Sequence, residues 1–219
     1  PGAPGITEAV VKATVADYVL STSIENATVD LRGGPSSDRA DTTNAAGEVV
    51  FPGLTPNTNT GTTSPYDLTA SAAGYVTVPQ DLPPATATRL RVAPTTVFST
   101  AIRMFRPVTL DVALIRPAAG GGHVGGGGHG GGAGAATVPF TDPATVTLSS
   151  SRMAGALNAT GGSVSTSTLD GEPIIPNDDY TAGAYAPSTA GRAWFASAVT
   201  KKVPTDYPNV LSSAVTLLM

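Results

Sequence analysis

The sequence predicts an all-β chain of two tandem β-sandwiches, and three observations lead there. Charged residues make up 13% of the 219 residues, against roughly 25% in an ordinary globular domain. Long surface helices need Lys, Glu and Arg for their outer faces, and this chain does not supply them. Apolar residues fall at every second position in several short runs, the period that puts one face of a strand on a core and the other in water. The same strand-like runs also occur twice along the chain, as a duplicated unit requires.

The elements follow in order. Val11, Ala13 and Val15 share one parity in the run Val11 to Leu20, which Asp17 interrupts. Ala27-Thr28-Val29-Asp30-Leu31 returns as Ala144-Thr145-Val146-Thr147-Leu148, with the same alternation. Gly47-Glu48-Val49-Val50-Phe51-Pro52 lines up with Gly171-Glu172-Pro173-Ile174-Ile175-Pro176, and Tyr66 with Tyr180. Val97 to Ile102 pairs with Val210 to Val215 as the closing strand of each copy. Val108 to Ile115 opens the second copy, and Phe105-Arg106-Pro107 fits the junction because proline ends pairing on a central strand. The expected domains are therefore residues 1–106 and 107–219, each of a size usual for an autonomous sandwich. A glycine-rich insertion at about 118–139 lengthens one loop of the second domain.

The first half contains Thr42-Thr43-Asn44-Ala45-Ala46-Gly47-Glu48-Val49-Val50-Phe51-Pro52-Gly53-Leu54, then Tyr66-Asp67-Leu68-Thr69-Ala70-Ser71-Ala72-Ala73-Gly74-Tyr75. A Thr-x-x-x-Gly turn, an aromatic strand ending in Gly-Leu and a Tyr-led strand ending in Gly-Tyr resemble the carboxypeptidase regulatory-like family of prealbumin-like (transthyretin-like) β-sandwiches. The resemblance covers Ala27 to Val78 and is weaker in the second copy, which keeps Asp170-Gly171 and Tyr180 without a Gly-Tyr end. It implies two Ig-like/prealbumin-like sandwiches and a non-catalytic, stabilising or adhesive role. Gly47 and Gly74 stand where a tight turn needs φ > 0, and Tyr66 and Tyr75 are amphipathic residues suited to a sandwich edge.

Few residues point to chemistry. The formal net charge is −4 with no basic run, which gives phosphate backbones and anionic membranes no electrostatic footprint. Neither a nucleic acid partner nor membrane insertion is expected. The chain has no Cys, which removes disulfides, thiolate metal sites and cysteine nucleophiles together. His123 and His129, its two histidines, lie inside Gly120 to Gly134. They are the only metal candidates there, with no carboxylate nearby in sequence to complete a ligand set. A polyglycine stretch gives a catalytic triad no rigid support, and it lacks the Lys-Ser/Thr ending of a phosphate loop. Neither catalysis nor a cofactor is expected. Gly120, His123, Gly126, His129 and Gly132 are instead expected to face neighbouring subunits. Asp170, Asn177, Asp178 and Asp179 have the oxygens of a calcium site, or are ordinary turn residues. Trp194 and Phe195 would make a sugar-stacking platform if exposed, and the favoured reading places them in the second core.

Together these readings lead to a non-catalytic structural subunit of a large assembly, foremost a bacteriophage virion tail or baseplate protein, partnered by its own copies and neighbouring assembly proteins, with the host cell surface a further contact. Pro1 reads as a residue exposed by initiator methionine removal, without a signal peptide. The alternative is a secreted or cell-surface adhesion or carbohydrate-binding module, which would carry an exposed aromatic platform.

Overall fold

The computed structural model describes residues 8–58, 63–77, 88–118, 136–187 and 193–219. The chain divides into two compact units, Pro1–Pro107 and Val108–Met219. The described residues form strands and turns and no helix.

In the first unit the strands are β1 (Ala9–Asp17), β2 (Thr28–Gly33), β3 (Arg39–Thr42), β4 (Glu48–Leu54), β5 (Tyr66–Ser71), β6 (Val76–Thr77), β7 (Thr88–Leu90) and β8 (Val97–Phe105). One sheet has the order β4-β1-β8-β6 and the other β3-β2-β5-β7. Alternation does what the sequence predicts: Ala9, Val11, Ala13 and Val15 face inward, meeting Val29 and Leu31 of β2 and Leu68 of β5 in one buried cluster. Each large aliphatic side chain so buried contributes about 1.5–3 kcal/mol. Asp17 is buried at the end of β1, where its Oδ1 accepts the N–H groups of Val19 and Leu20, both at 2.9 Å. The carboxylate thus ends the strand by capping the turn that follows.

The Thr-Asn-x-x-Gly stretch earns its place in the same way. Thr43 Oγ1 accepts the Ala27 N–H at 2.9 Å and donates to the Ile24 carbonyl at 2.7 Å, tying the entrance of β2 to the exit of β3. Asn44 Oδ1 then accepts from the amides of Ala46 and Glu48, and Gly47 turns at φ 71°. Gly74 turns at φ 76°. Tyr66 departs from the expected sandwich edge: it is 1% exposed. Its hydroxyl is the reason it can be, donating to the Thr55 carbonyl at 2.9 Å and lying 2.8 Å from Ser36 Oγ. Tyr75 is half-buried, with the Arg106 guanidinium 5.6 Å from its ring centre.

The second unit comprises β9 (Thr109–Pro117), β10 (Thr137–Pro139), β11 (Ala144–Ser149), β12 (Ala154–Ala159), β13 (Ser163–Thr166), β14 (Thr168–Leu169), β15 (Glu172–Pro173), β16 (Asp178–Ala186), β17 (Trp194–Phe195), β18 (Val199–Val203) and β19 (Ser212–Leu218). One sheet centres on β9, which pairs with β10, β13 and β19. The other runs β12-β11-β16-β17, with β18 also pairing β16. Leu110, Val112 and Leu114 on β9, Val146 and Leu148 on β11 and Tyr180 on β16 are buried.

The two units repeat one plan. In each, the closing strand lies parallel beside the opening one, β8 on β1 and β19 on β9. Leu31 pairs with Leu68 as Leu148 pairs with Ala182, so the repeated strands and the repeated tyrosines keep register. The expected match of Gly47 with Gly171 is corrected. Gly47 receives the Val15 N–H on its carbonyl at 2.8 Å, and its counterpart is Gly162, whose carbonyl receives the Leu114 N–H at 2.8 Å. β4 then pairs antiparallel with β1, and β13 with β9. Asp170-Gly171 instead forms the hairpin between β14 and β15, both residues at positive φ, as an Asp-Gly pair favours.

The insertion is also narrower than the expected 118–139. Residues 137–139 are strand β10, paired back onto β9, and the Ala118 N–H donates to the Ala136 carbonyl at 2.8 Å. Gly120, His123, Gly126, His129 and Gly132 lie outside the described residues.

Candidate functional site

Among the described residues, the outer face of the second unit's β12-β11-β16-β17 sheet carries a pair of exposed aromatic rings beside a polar row. Tyr180, Ala182, Ala184 and Ala186 on β16 face the core, which by period 2 sends Thr181, Gly183 and Tyr185 outward. On β11 the same logic buries Ala144, Val146 and Leu148 and turns out Thr145, Thr147 and Ser149.

Register then builds a row across four strands. Asn158 of β12 lies opposite Thr145 of β11, Thr145 opposite Tyr185 of β16, and Tyr185 opposite Phe195 of β17. With strands about 4.8 Å apart, the row of amide, hydroxyl, phenol and phenyl is about 14 Å long. Tyr185 is 41% and Phe195 67% exposed, and their rings lie 5.0 Å apart at 44°. Beside it runs a second row of small residues, Ala156, Thr147 and Gly183, again directly opposite one another. No bulky side chain rises there, so the aromatic pair borders a shallow trough. Beyond it, Thr181 and Thr200 join their hydroxyls at 2.7 Å. Asp179 and Lys202 form a further pair of positions, at the far side of the sheet from the aromatics.

At the near end, where β11 begins and β12 ends, a cleft of about 340 Å³ is lined by Thr145, Asn158, Thr160 and the rings of Pro143 and Pro187, among others. Its polar groups are hydroxyls and one carboxamide. No ionisable side chain lines it.

Phe195 therefore overturns the expectation that both aromatics of the Trp194-Phe195 pair are core. Neither residue is core: adjacent residues on a strand face opposite sides, and Trp194, on the side of buried Phe140 and edge-on to it at 5.9 Å, is still 38% exposed. Trp194 thus anchors the two-residue strand that presents Phe195. The exposure of Tyr185 was legible in the parity of β16, since every even residue from Tyr180 to Ala186 is small or buried.

The other expected sites are not brought together. Asp170 and Asn177 have φ of 55° and 64°, the backbone of turn residues, and Asp179 faces outward. Among the described residues no group of three His, Cys, Asp or Glu side chains is placed to hold a metal ion. His123 and His129 lie outside the described residues. No helix among the described residues is long and apolar enough to cross a membrane.

No family model and no curated protein matches the sequence. Among solved structures the chain is similar to the Bacillus anthracis TIE protein, at 12% identity and a TM-score of 0.38, over 97% of this chain and 34% of that one. It is similar to a streptococcal ancillary pilin at 13% identity and a TM-score of 0.38, over 98% of this chain and 63% of the pilin. It is similar also to the minor pilin GBS52 of Streptococcus agalactiae at 12% identity and a TM-score of 0.32, over 95% of each chain. The chain spans about a third of the first of these and under two thirds of the second.

Proposed function

We propose that this chain is a non-catalytic β-sandwich module of a secreted or cell-surface protein, acting in adhesion through the outer face of its second unit. The observation that supports this most is the row Asn158, Thr145, Tyr185 and Phe195, because a buried-core role for Phe195 is removed and a large apolar ring is left in water next to a second one. Clustered exposed aromatics beside a polar rim mark interaction surfaces.

The expectation of a virion tail subunit rests on Pro1, on the lack of an anchor motif, on the duplicated sandwich and on the glycine-rich insertion; of these the described residues carry the duplication, which suits a cell-surface module equally. Copies of the chain and neighbouring assembly proteins remain its proposed partners alongside the surface ligand. The Lys201 ammonium donates to the Ala214 carbonyl of β19 at 2.7 Å, a lysine guard of the kind that keeps a strand from pairing indiscriminately.

Location tests the reading directly. Antibody against the chain should label intact cells of the organism that makes it, or its culture fluid. Labelling confined to lysed cells, or to purified phage particles, would overturn it.

A further inference from the structure

We propose that the trough beside Tyr185 and Phe195 binds a neutral carbohydrate, its ring faces stacked on the two aromatics and its hydroxyl groups met by Thr145, Asn158 and Thr147. This inference rests on the adhesion reading above and supplies its ligand class.

Three features of the face select that class. A pyranose ring has an apolar face of C–H groups carrying partial positive charge, which suits the negative face of an aromatic ring. Tyr185 and Phe195 offer two such rings in adjacent strands, 5.0 Å apart. The remaining surface is made of groups that both donate and accept hydrogen bonds, the hydroxyls of Thr145, Thr147 and Thr160 and the carboxamide of Asn158. A sugar hydroxyl does the same, so each contact can be matched without leaving a charge unpaired.

Charge complementarity disfavours the main alternatives. Among the described residues, the aromatic row, the small-residue row and the cleft contain no Asp, Glu, Lys or Arg. An anionic polysaccharide, a phosphorylated ligand or a charged peptide would lose its hydration there and gain no counter-charge. A protein partner of usual strength buries about 800 Å² on each side around a desolvated aromatic centre, whereas this trough is floored by Gly183 and Ala156 and fringed with hydroxyls. Gly183 has a packing reason to lack a side chain, since a Cβ there would approach Thr147 Oγ1 to 3.2 Å. The floor stays low, and the Thr147 hydroxyl, which donates to the Gly183 carbonyl at 3.4 Å, keeps its lone pairs to accept from a ligand.

The test uses the full chain and a printed panel of neutral polysaccharides (α- and β-glucans, mannans, galactans and chitin) together with heparin and hyaluronan. Oligosaccharides of whichever neutral polymer binds are then titrated while the fluorescence of Trp194, neighbour of Phe195 and the only Trp of the chain, is followed. Binding should be insensitive to salt and weaken about tenfold or more in Phe195→Ala and in Tyr185→Ala. Ala156→Trp, which fills the trough from an exposed position, should weaken it similarly. Lys202→Ala, outside the trough, should leave affinity within about twofold. Circular dichroism establishes that each variant is folded; Phe195 is exposed enough that its truncation removes no core. A silent neutral panel, binding of heparin or hyaluronan alone, or affinity retained in both Phe195→Ala and Ala156→Trp would overturn the inference. Surface labelling of cells with a silent panel would sink the carbohydrate ligand and leave the adhesion reading standing, whereas absence of surface labelling would remove the latter whatever the panel shows.

Discussion

Asn57 and Val92 are joined twice: Asn57 Oδ1 accepts the Val92 N–H at 2.6 Å, and the Val92 carbonyl accepts the Asn57 N–H at 3.0 Å. The side chain thereby imitates a strand's main chain inside a segment that has no partner strand. Its Nδ2 completes the set, donating to the carbonyls of Leu90 and Ser64 at 3.1 and 3.0 Å. Asn57 is 0% exposed, and every polar atom of its carboxamide is used. At Asn57 the Thr- and Asn-rich stretch between β4 and β5 is fastened to its own domain. Asn57→Ala would leave the buried Val92 amide without its acceptor and take a donor from the carbonyls of Leu90 and Ser64, at about 1–3 kcal/mol for each group that water cannot reach. The expected loss is about 3 kcal/mol, read as a lower urea midpoint by circular dichroism. Asn57→Ser, which keeps one acceptor, should lose less. An Asn57→Ala chain as stable as the parent would show that the stretch is not fastened there.

Glycine substitutions should rank by what a Cβ would meet. All of Gly47, Gly162 and Gly171 have positive φ, so alanine costs about 1 kcal/mol at each before any clash. At Gly171 nothing lies within 4 Å; at Gly162 the Phe140 carbonyl oxygen would be 3.1 Å away; at Gly47 the Val15 oxygen would be 2.5 Å away. That oxygen accepts the Ile24 N–H at 3.0 Å and is held in the sheet. Gly47→Ala should therefore cost the most, about 3 kcal/mol, with Gly162→Ala intermediate and Gly171→Ala mildest. Equal unfolding midpoints for the three would contradict the ranking by what each Cβ meets.

The same three glycines show where sequence reading succeeded and where it stopped. Alternation at Val11 to Val15 and at Ala144 to Leu148 predicted buried faces because half-buried strands enforce it locally. Matching Gly47 to Gly171 failed because Gly-Glu is a short string, whereas the true equivalence is set by which glycine carbonyl meets the opening strand, a long-range relation. Asn57 was invisible for a related reason. An asparagine in a polar run reads as loop surface until Val92, far along the chain, supplies its partner. Phe195 was misread because hydrophobicity alone does not say which face of a two-residue strand points outward; the parity of Tyr185, its cross-strand partner, did contain that information.

Tyr180 makes alkaline stability a property of the second unit. Burial pushes its phenol above the ordinary 10.0, with the Asp178 carboxylate adding to the rise and the hydrogen bond from the Ile175 amide opposing it. A folded-state value above the unfolded one means that the neutral phenol is the form the fold holds. Its contribution is therefore fully present below pH 10.0 and declines as pH rises from there through the folded value. Urea midpoints followed by Trp194 fluorescence should hold up to pH 10.0 and fall as pH rises beyond it. In Tyr180→Phe the fall should be smaller, on a baseline lowered by the Ile175 N–H, which loses its 3.0 Å acceptor. An unchanged slope in that variant would assign the alkaline loss to other groups.

The hairpin that carries the glycine-rich insertion can be shortened without disturbing the sandwich. Thr137, Val138 and Pro139 pair with Pro117, Arg116 and Ile115, and the Ala118 amide reaches the Ala136 carbonyl. Two strands in antiparallel register up to that bond are closed by a two-residue turn, for which Asn-Gly is the favoured sequence. Replacing residues 119–135 by Asn-Gly should keep the β9–β10 pairing, and a shorter loop costs less closure entropy, with each halving worth about 0.6 kcal/mol. The unfolding midpoint should stay within about 1 kcal/mol of the parent or rise. If the insertion serves subunit contact, the shortened chain will show a smaller mass by light scattering at concentrations where the parent associates. A collapse of stability instead would mean that the sandwich depends on residues 119–135, and the insertion would then belong to the fold rather than to its partners.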